Sequence, residues 1–217
     1  MSKQIGLIHA TLNAVQPMVA AFGQYEPGVT LLHFLDEGLL MAVNEQGGVT
    51  PPTLRRLLSL LSRAEESGVD GILLTCSAFS PNVPSIGPLF SIPVVSVDRA
   101  MLEQAVTMGS RIGVIATVAT AGPATARQLE EIAAARGKQV AVETVVSTDA
   151  FSQLQAGNVI DHDVLLQEAA EGLLGKVDVI VLAQISMARA ASRLDRIDIP
   201  VLTSPRSSIE AIMGRLP

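Results

Sequence analysis

Val69-Asp70-Gly71-Ile72-Leu73-Leu74-Thr75-Cys76 and Val177-Asp178-Val179-Ile180-Val181-Leu182-Ala183-Gln184 are one pattern written twice, 108 residues apart. Lys3-Gln4-Ile5-Gly6-Leu7-Ile8 pairs with Ser110-Arg111-Ile112-Gly113-Val114-Ile115 in the same way. Ile92-Pro93-Val94-Val95 pairs with Ile199-Pro200-Val201-Leu202, and both of these steps are 107 residues. Apolar strands resemble one another, so a single match decides little. Three matches in the same order, at about half of the 217 residues, mark an internal duplication.

Working outward, short β-branched apolar runs recur at Ile5–His9, Val29–Leu35, Gly71–Cys76, Val94–Val97, Ile112–Thr117, Val140–Val146, Val177–Ala183 and Val201–Thr203. Most are apolar on both faces, as parallel strands covered on each side by helices must be. Between them the spacing predicts helices such as Thr53–Ser67, Ala100–Met108, Thr125–Arg136 and Asp163–Leu174. Alternation of this kind predicts an α/β fold of two pseudo-symmetric, Rossmann-like halves. Each half has a mainly parallel four-stranded sheet flanked by helices. The first half is expected over 1–97, with 203–217 able to pack back onto it, and the second over 98–202. Ligands of open α/β sheets sit beyond the carboxyl ends of the strands, so the site is expected in a cleft between the halves.

Composition removes several classes of function. Hydrophobic residues make up 48% and charged residues 17%, the opposite of a disordered chain. A net charge of -6, with no basic stripe and 3% aromatics, argues against a nucleic-acid partner. Mean hydropathy is +0.42, yet no apolar run reaches the roughly 18 residues of a membrane span. The opening Met1-Ser2-Lys3-Gln4 leads straight into a strand without a signal-peptide pattern, so a soluble, cytoplasmic protein is expected. One cysteine makes neither an internal disulfide nor a cysteine-based zinc site, and no two histidines have metal-binding spacing. There is no G-x-G-x-x-G after the first strand and no Walker-type loop. Neither a metal site nor dinucleotide binding is therefore expected.

The strand ends hold the candidates. His9-Ala10-Thr11-Leu12-Asn13 follows the first strand, Cys76-Ser77-Ala78 the third, Thr117-Val118-Ala119-Thr120 the fifth, and Gln184-Ile185-Ser186 the seventh. Hydroxyls and free N–H groups at a strand-to-helix turn bind a carboxylate or phosphate, which suits Thr117, Thr120 and Ser77. Ordinary helix capping is the commoner explanation of the same residues. Cys76, beside a helix start, is expected to have a lowered pKa and to act as nucleophile or general base, against the plainer reading of a buried packing residue. His9 can reach a cleft as acid or donor. His33 reads as a satisfied core histidine, and His162 as a capping or surface residue. Arg55-Arg56 and Glu65-Glu66 read as the solvated face of a helix, and Met187 as sheet packing. Asp36 after the second strand reads as a helix cap rather than a group for a substrate amine.

Taken together, Ile5-Gly6-Leu7-Ile8-His9-Ala10-Thr11 with Asn13, Leu74-Thr75-Cys76-Ser77, Ile112 through Thr120, and Val181 through Ala188 resemble the aspartate/glutamate/hydantoin racemase superfamily across nearly the whole chain. The resemblance implies a cofactor-independent enzyme, an isomerase or racemase that moves a proton at the carbon next to a carboxylate. It also implies a small carboxylate substrate, a role in amino-acid metabolism and a homodimer. In the family's racemases two cysteines flank the substrate carbon. The first position falls on Cys76, as acid/base or nucleophile; the second falls on Gln184, whose amide neither takes nor gives a proton near neutral pH. An electrostatic role for Gln184 follows instead. The expected substrate-binding set is His9, Thr11, Asn13, Ser77, Ala78, Thr117, Thr120 and Ile185. Two alternatives accompany this reading: a decarboxylase or other lyase with Cys76 as the only proton donor, or a carboxylate-binding protein without chemistry. Arylmalonate decarboxylases of the same superfamily work with one cysteine, in the other half.

Overall fold

A computed structural model describes residues 2–216. The first compact unit comprises Met1–Arg99 with Pro205–Pro217, and the second Ala100–Ser204. In the first unit the order is β1 (Gln4–His9), α1 (Val15–Tyr25), β2 (Thr30–Leu35), α2 (Glu37–Glu45), α3 (Pro51–Glu66), β3 (Gly71–Leu74), α4 (Val83–Ile86) and β4 (Val94–Ser96). After α5 (Arg99–Met108), the second unit has β5 (Arg111–Ala116), α6 (Ala121–Ala135), β6 (Ala141–Val146), α7 (Thr148–Gln155), α8 (Val159–Glu171), β7 (Val179–Leu182), α9 (Ala191–Leu194) and β8 (Val201–Leu202). The last helix, α10 (Ser204–Met213), belongs with the first unit from Pro205 onward.

Each unit holds one four-stranded, all-parallel sheet, ordered β2-β1-β3-β4 in the first and β6-β5-β7-β8 in the second. The identical order is the structural form of the sequence repeat. The central strands β1, β3, β5 and β7 are buried almost throughout, as runs apolar on both faces require. The edge strands β2 and β6 differ: no residue of either is fully buried, and half or more are exposed. Both sheets are pinned by the same device. Asp70 accepts the Gln4 N–H at 2.7 Å; its counterpart Asp178 accepts the Ser110 and Arg111 N–H groups and pairs with the Arg111 guanidinium at 2.6 Å.

One face of the first sheet, carrying Ile8, Ile72 and Leu74, packs on Leu57, Leu61 and Ala64 of α3. In the second unit, Ile115, Ile180 and Leu182 meet Leu166 and Ala170 of α8. Helix α3 starts at a capping box, Thr50 with Thr53, with Pro51 in its first turn. Asp36 caps α2 by accepting the Gly38 N–H at 3.1 Å, while Arg56 grips its carboxylate from α3. Glu65 accepts both the N–H and the hydroxyl of Ser91, each at 2.7 Å, and so ties α3 to the segment before β4. Arg56 and Glu65, expected on a merely solvated face, therefore anchor the helix at both ends. Among the described residues no helix is long and apolar enough to cross a membrane.

Two histidines lie differently from expectation. His162 is inside α8 and fully buried, one turn before Leu166 on the same face. The helix begins at Val159, a turn earlier than the spacing predicted, and this turns His162 inward. His33 is exposed, because β2 is an edge strand.

Candidate active site

The first unit gathers polar groups at the carboxyl ends of β1, β3 and β4. Cys76 leaves β3 in an extended conformation (φ −108°, ψ 109°) and caps a 3-10 turn, Ser77–Asn82. Its side chain lies on the sheet face of Ile72 and Leu74, against the α3 core. The thiol is pushed up to about 11. Burial is the largest cause, the nearby Asp98 carboxylate adds to it, and the N–H groups of Ala78 and Phe79 oppose it. The expected lowering is thus corrected. The turn's N–H groups do favour the thiolate, but desolvation outweighs them.

His9 and Thr75 occupy the opposite face. The Thr75 hydroxyl donates to the Ile8 carbonyl at 2.9 Å, so it accepts from Nδ1–H of His9, also at 2.9 Å. Nε2 of His9 is then the acceptor of a 3.0 Å bond from Nδ1–H of His33, and the two rings stack at 5.2 Å. Burial, reinforced by His33, lowers His9 to about 4. His9 is therefore neutral at pH 7, and both ring nitrogens are engaged within the sheet. Thr11 is half-buried, Asn13 is exposed, and Ser77 and Ala78 are half-buried.

In the second unit the ends of β5 and β7 meet. Thr117, almost fully buried, donates its N–H to Oε1 of Gln184 at 2.6 Å and its hydroxyl to the same oxygen at 3.1 Å. Two donors on one atom fix the amide: the oxygen faces Thr117 and the NH2 is the end left to donate elsewhere. The Gln184 oxygen thus occupies the kind of donor pair a carboxylate oxygen uses. Thr120 is exposed at the start of α6 and its side chain makes no cap bond. Ile185 is buried.

Asp98 escaped the sequence reading, and His162 reads there only as a capping or surface residue. Asp98, at the end of β4, is buried and accepts from the Ser80 hydroxyl. It stands in the position, directly after a strand, that singled out the other candidates. His162 donates from Nδ1 to Asp163 at 2.7 Å, and Asp163 is also approached by Arg189 at 3.4 Å. Nε2 of His162 has no partner among the described residues. Among those residues, no group of three or more His, Cys, Asp or Glu side chains is placed to hold a metal ion.

The Asp/Glu/hydantoin racemase family's sequence model matches residues 8–212, and the chain belongs to that family. An aspartate racemase homologue from Pyrococcus horikoshii superposes with a TM-score of 0.74 at 13% identity, covering 99% of this chain and 98% of the other. Allantoin racemase from Klebsiella pneumoniae gives 0.71 at 17%, covering 98% and 87%. An uncharacterized protein of Schizosaccharomyces pombe is 22% identical over 194 residues, 87% of this chain and 76% of that protein. The structural likenesses show the two-unit α/β fold; at such identities they carry no substrate across.

Proposed function

We propose that the chain moves a proton at the carbon next to the carboxylate of a small substrate, as a racemase- or isomerase-like enzyme, with Cys76 as the proton carrier. The placement of Cys76 carries this reading. The only cysteine of the chain leaves the carboxyl end of a central strand, where two backbone N–H groups stabilise its anion. The chemistry assigned to it calls on no cofactor. Thr120 is the carboxylate-binding residue of the second unit, where Thr117 acts only through the Gln184 amide it holds, and Thr11, Asn13 and Ser77 are the donors of the first. Gln184, its oxygen held by Thr117, offers its NH2 to a carboxylate or developing enolate oxygen.

A second reading, decarboxylation or another lyase reaction, is favoured by the protonated thiol. With the group near 11, using it as a base at pH 7 costs about 5 kcal/mol of ionisation, which substrate binding must offset. A lyase avoids that cost. The bond to the departing carboxylate breaks first, its electron pair stays as an enolate, and Cys76 then gives its proton to the carbon.

Proton NMR in D2O with small dicarboxylates, amino acids, hydantoins and substituted malonates tests both readings. Deuterium at the carbon next to the carboxylate with wild type, and none with Cys76→Ala, is the expected result; the product separates isomerisation from loss of carbon dioxide. Equal exchange by the variant removes Cys76 from the mechanism. Binding without exchange by either protein points to a carboxylate-binding protein.

A further inference from the structure

Strand register places one acidic residue beside the thiol. Leu74 of β3 pairs with Ser96 of β4, and the Val97 N–H continues the ladder to the Leu74 carbonyl at 3.0 Å. The paired strands end there; Cys76 and Asp98 each follow the Leu74–Ser96 pair by two residues, the step at which an extended chain returns a side chain to the same face. Asp98 is 4% exposed and Ser80, whose hydroxyl it accepts, is 5% exposed. Ser80 belongs to the turn that Cys76 itself starts, so the carboxylate is held by the element that presents the thiol.

The other surroundings of the thiol carry little charge. The turn Ser77–Asn82 has no titratable side chain, and α2, α3 and α4 turn apolar residues to this face, among them Leu39, Leu57 and Val83. On the β1 side, His9 points to the opposite face with both nitrogens engaged. Asp36, at the end of β2, is paired with Arg56, and Arg99 after Asp98 is exposed.

We propose that Asp98, fixed by Ser80, is a positioning residue for Cys76: its buried carboxylate adds to burial in opposing the thiolate and so strengthens the bias of the sulphur toward its acid form. A buried like charge beside a thiol opposes formation of the thiolate. The direction agrees with the upward displacement of Cys76, to which Asp98 contributes after burial. The proposal rests on the reading of Cys76 as proton carrier.

Because the chain has a single cysteine, its iodoacetamide alkylation reports on Cys76, and thiolate absorbance near 240 nm does so once the only tyrosine, whose phenolate absorbs there too, is removed by Tyr25→Phe in every protein compared. Both are followed against pH for wild type, Asp98→Asn, Asp98→Ser and Asp98→Glu, using only variants that melt cooperatively. The wild-type midpoint is expected near 11. The two neutral variants are expected to titrate lower by about half a unit or more, and Asp98→Glu to stay with wild type. The midpoint is the readout because rate alone understates the change. A drop of one unit raises the thiolate fraction about tenfold but weakens the nucleophile about threefold. Unchanged midpoints in the folded neutral variants, or a shift in Asp98→Glu equal to theirs, overturn the proposal. Should neither neutral variant fold, 13C-aspartate labelling of wild type decides: the Asp98 carboxyl carbon must show a step at the thiol's midpoint, and a flat trace overturns the proposal. These readouts need no turnover. A lowered midpoint together with equal exchange by wild type and Cys76→Ala would keep Asp98's influence and remove the assigned reaction.

Discussion

At the scale of single residues, Thr117 and Gln184 show how much depends on which partner is removed. Thr117→Val deletes one hydrogen bond, but the Gln184 oxygen keeps the Thr117 N–H at 2.6 Å. About 1 kcal/mol or less of stability should be lost. Gln184→Leu instead strands both a buried N–H and a buried hydroxyl, and about 1–3 kcal/mol is expected. Urea unfolding with an unchanged slope measures both, and a costlier Thr117→Val would contradict the assigned amide orientation. The strand-end positions of Cys76, Thr117 and Gln184 were legible in sequence, because the end of a buried run marks where a chain leaves its sheet. The state of Cys76 was not legible. Cys76 packs against a core that includes Leu39 and Leu57, which are far from it in sequence. His9 escaped for a similar reason: its partners Thr75 and His33 become neighbours only through strand register.

At the scale of elements, the repeat Ile5-Gly6-Leu7 and Ile112-Gly113-Val114 sets a glycine in the middle of each first strand. Both glycines lie where a helix or its following loop packs closely on the sheet. A Cβ on Gly6 would meet Ala64 Cβ of α3 at 3.2 Å and Val69 Cγ2 at 3.3 Å. On Gly113 it would meet Leu173 Cδ1 at 2.8 Å and Val177 Cγ2 at 3.2 Å. The far end of a leucine can rotate away, whereas Ala64 Cβ moves only with the helix backbone. Gly6→Ala is therefore expected to cost about 1–3 kcal/mol and Gly113→Ala less; chemical denaturation of the two variants checks the order, and the reverse order would refute this account. The duplication and the parallel sense of the sheets were legible from the doubled pattern of fully apolar runs, whereas the strand order was not read from it. Helix starts were less so. Helix α6 begins at Ala121 rather than Thr125 and α8 at Val159 rather than Asp163, because in each case the first turn packs only partly and carries little of the apolar period.

At the scale of the whole molecule, the two displaced groups bound a pH range of constant stability. His9 takes up its proton near 4 when folded, against 6.5 ordinarily. Between those values the unfolded chain binds a proton that the folded chain refuses, so stability falls as pH drops through the window, by about 3 kcal/mol in all. For Cys76 the sign reverses. The folded thiol keeps its proton to about 11, while the unfolded one ionises near 9, so stability falls as pH rises between them. Glu65 and Asp178 are held below their ordinary values by Ser91 and Arg111, so any contribution from them fades only in more acid solution. Urea midpoints taken from pH 4 to 11 should therefore form a plateau from about 6.5 to 9, with an acid limb starting above the carboxylate range. His9→Gln removes the titrating ring and should flatten that limb between 6.5 and 4, leaving the alkaline limb in place. Cys76→Ala should do the converse. An acid limb that survives in His9→Gln would mean that the His9–His33 pair is not its source.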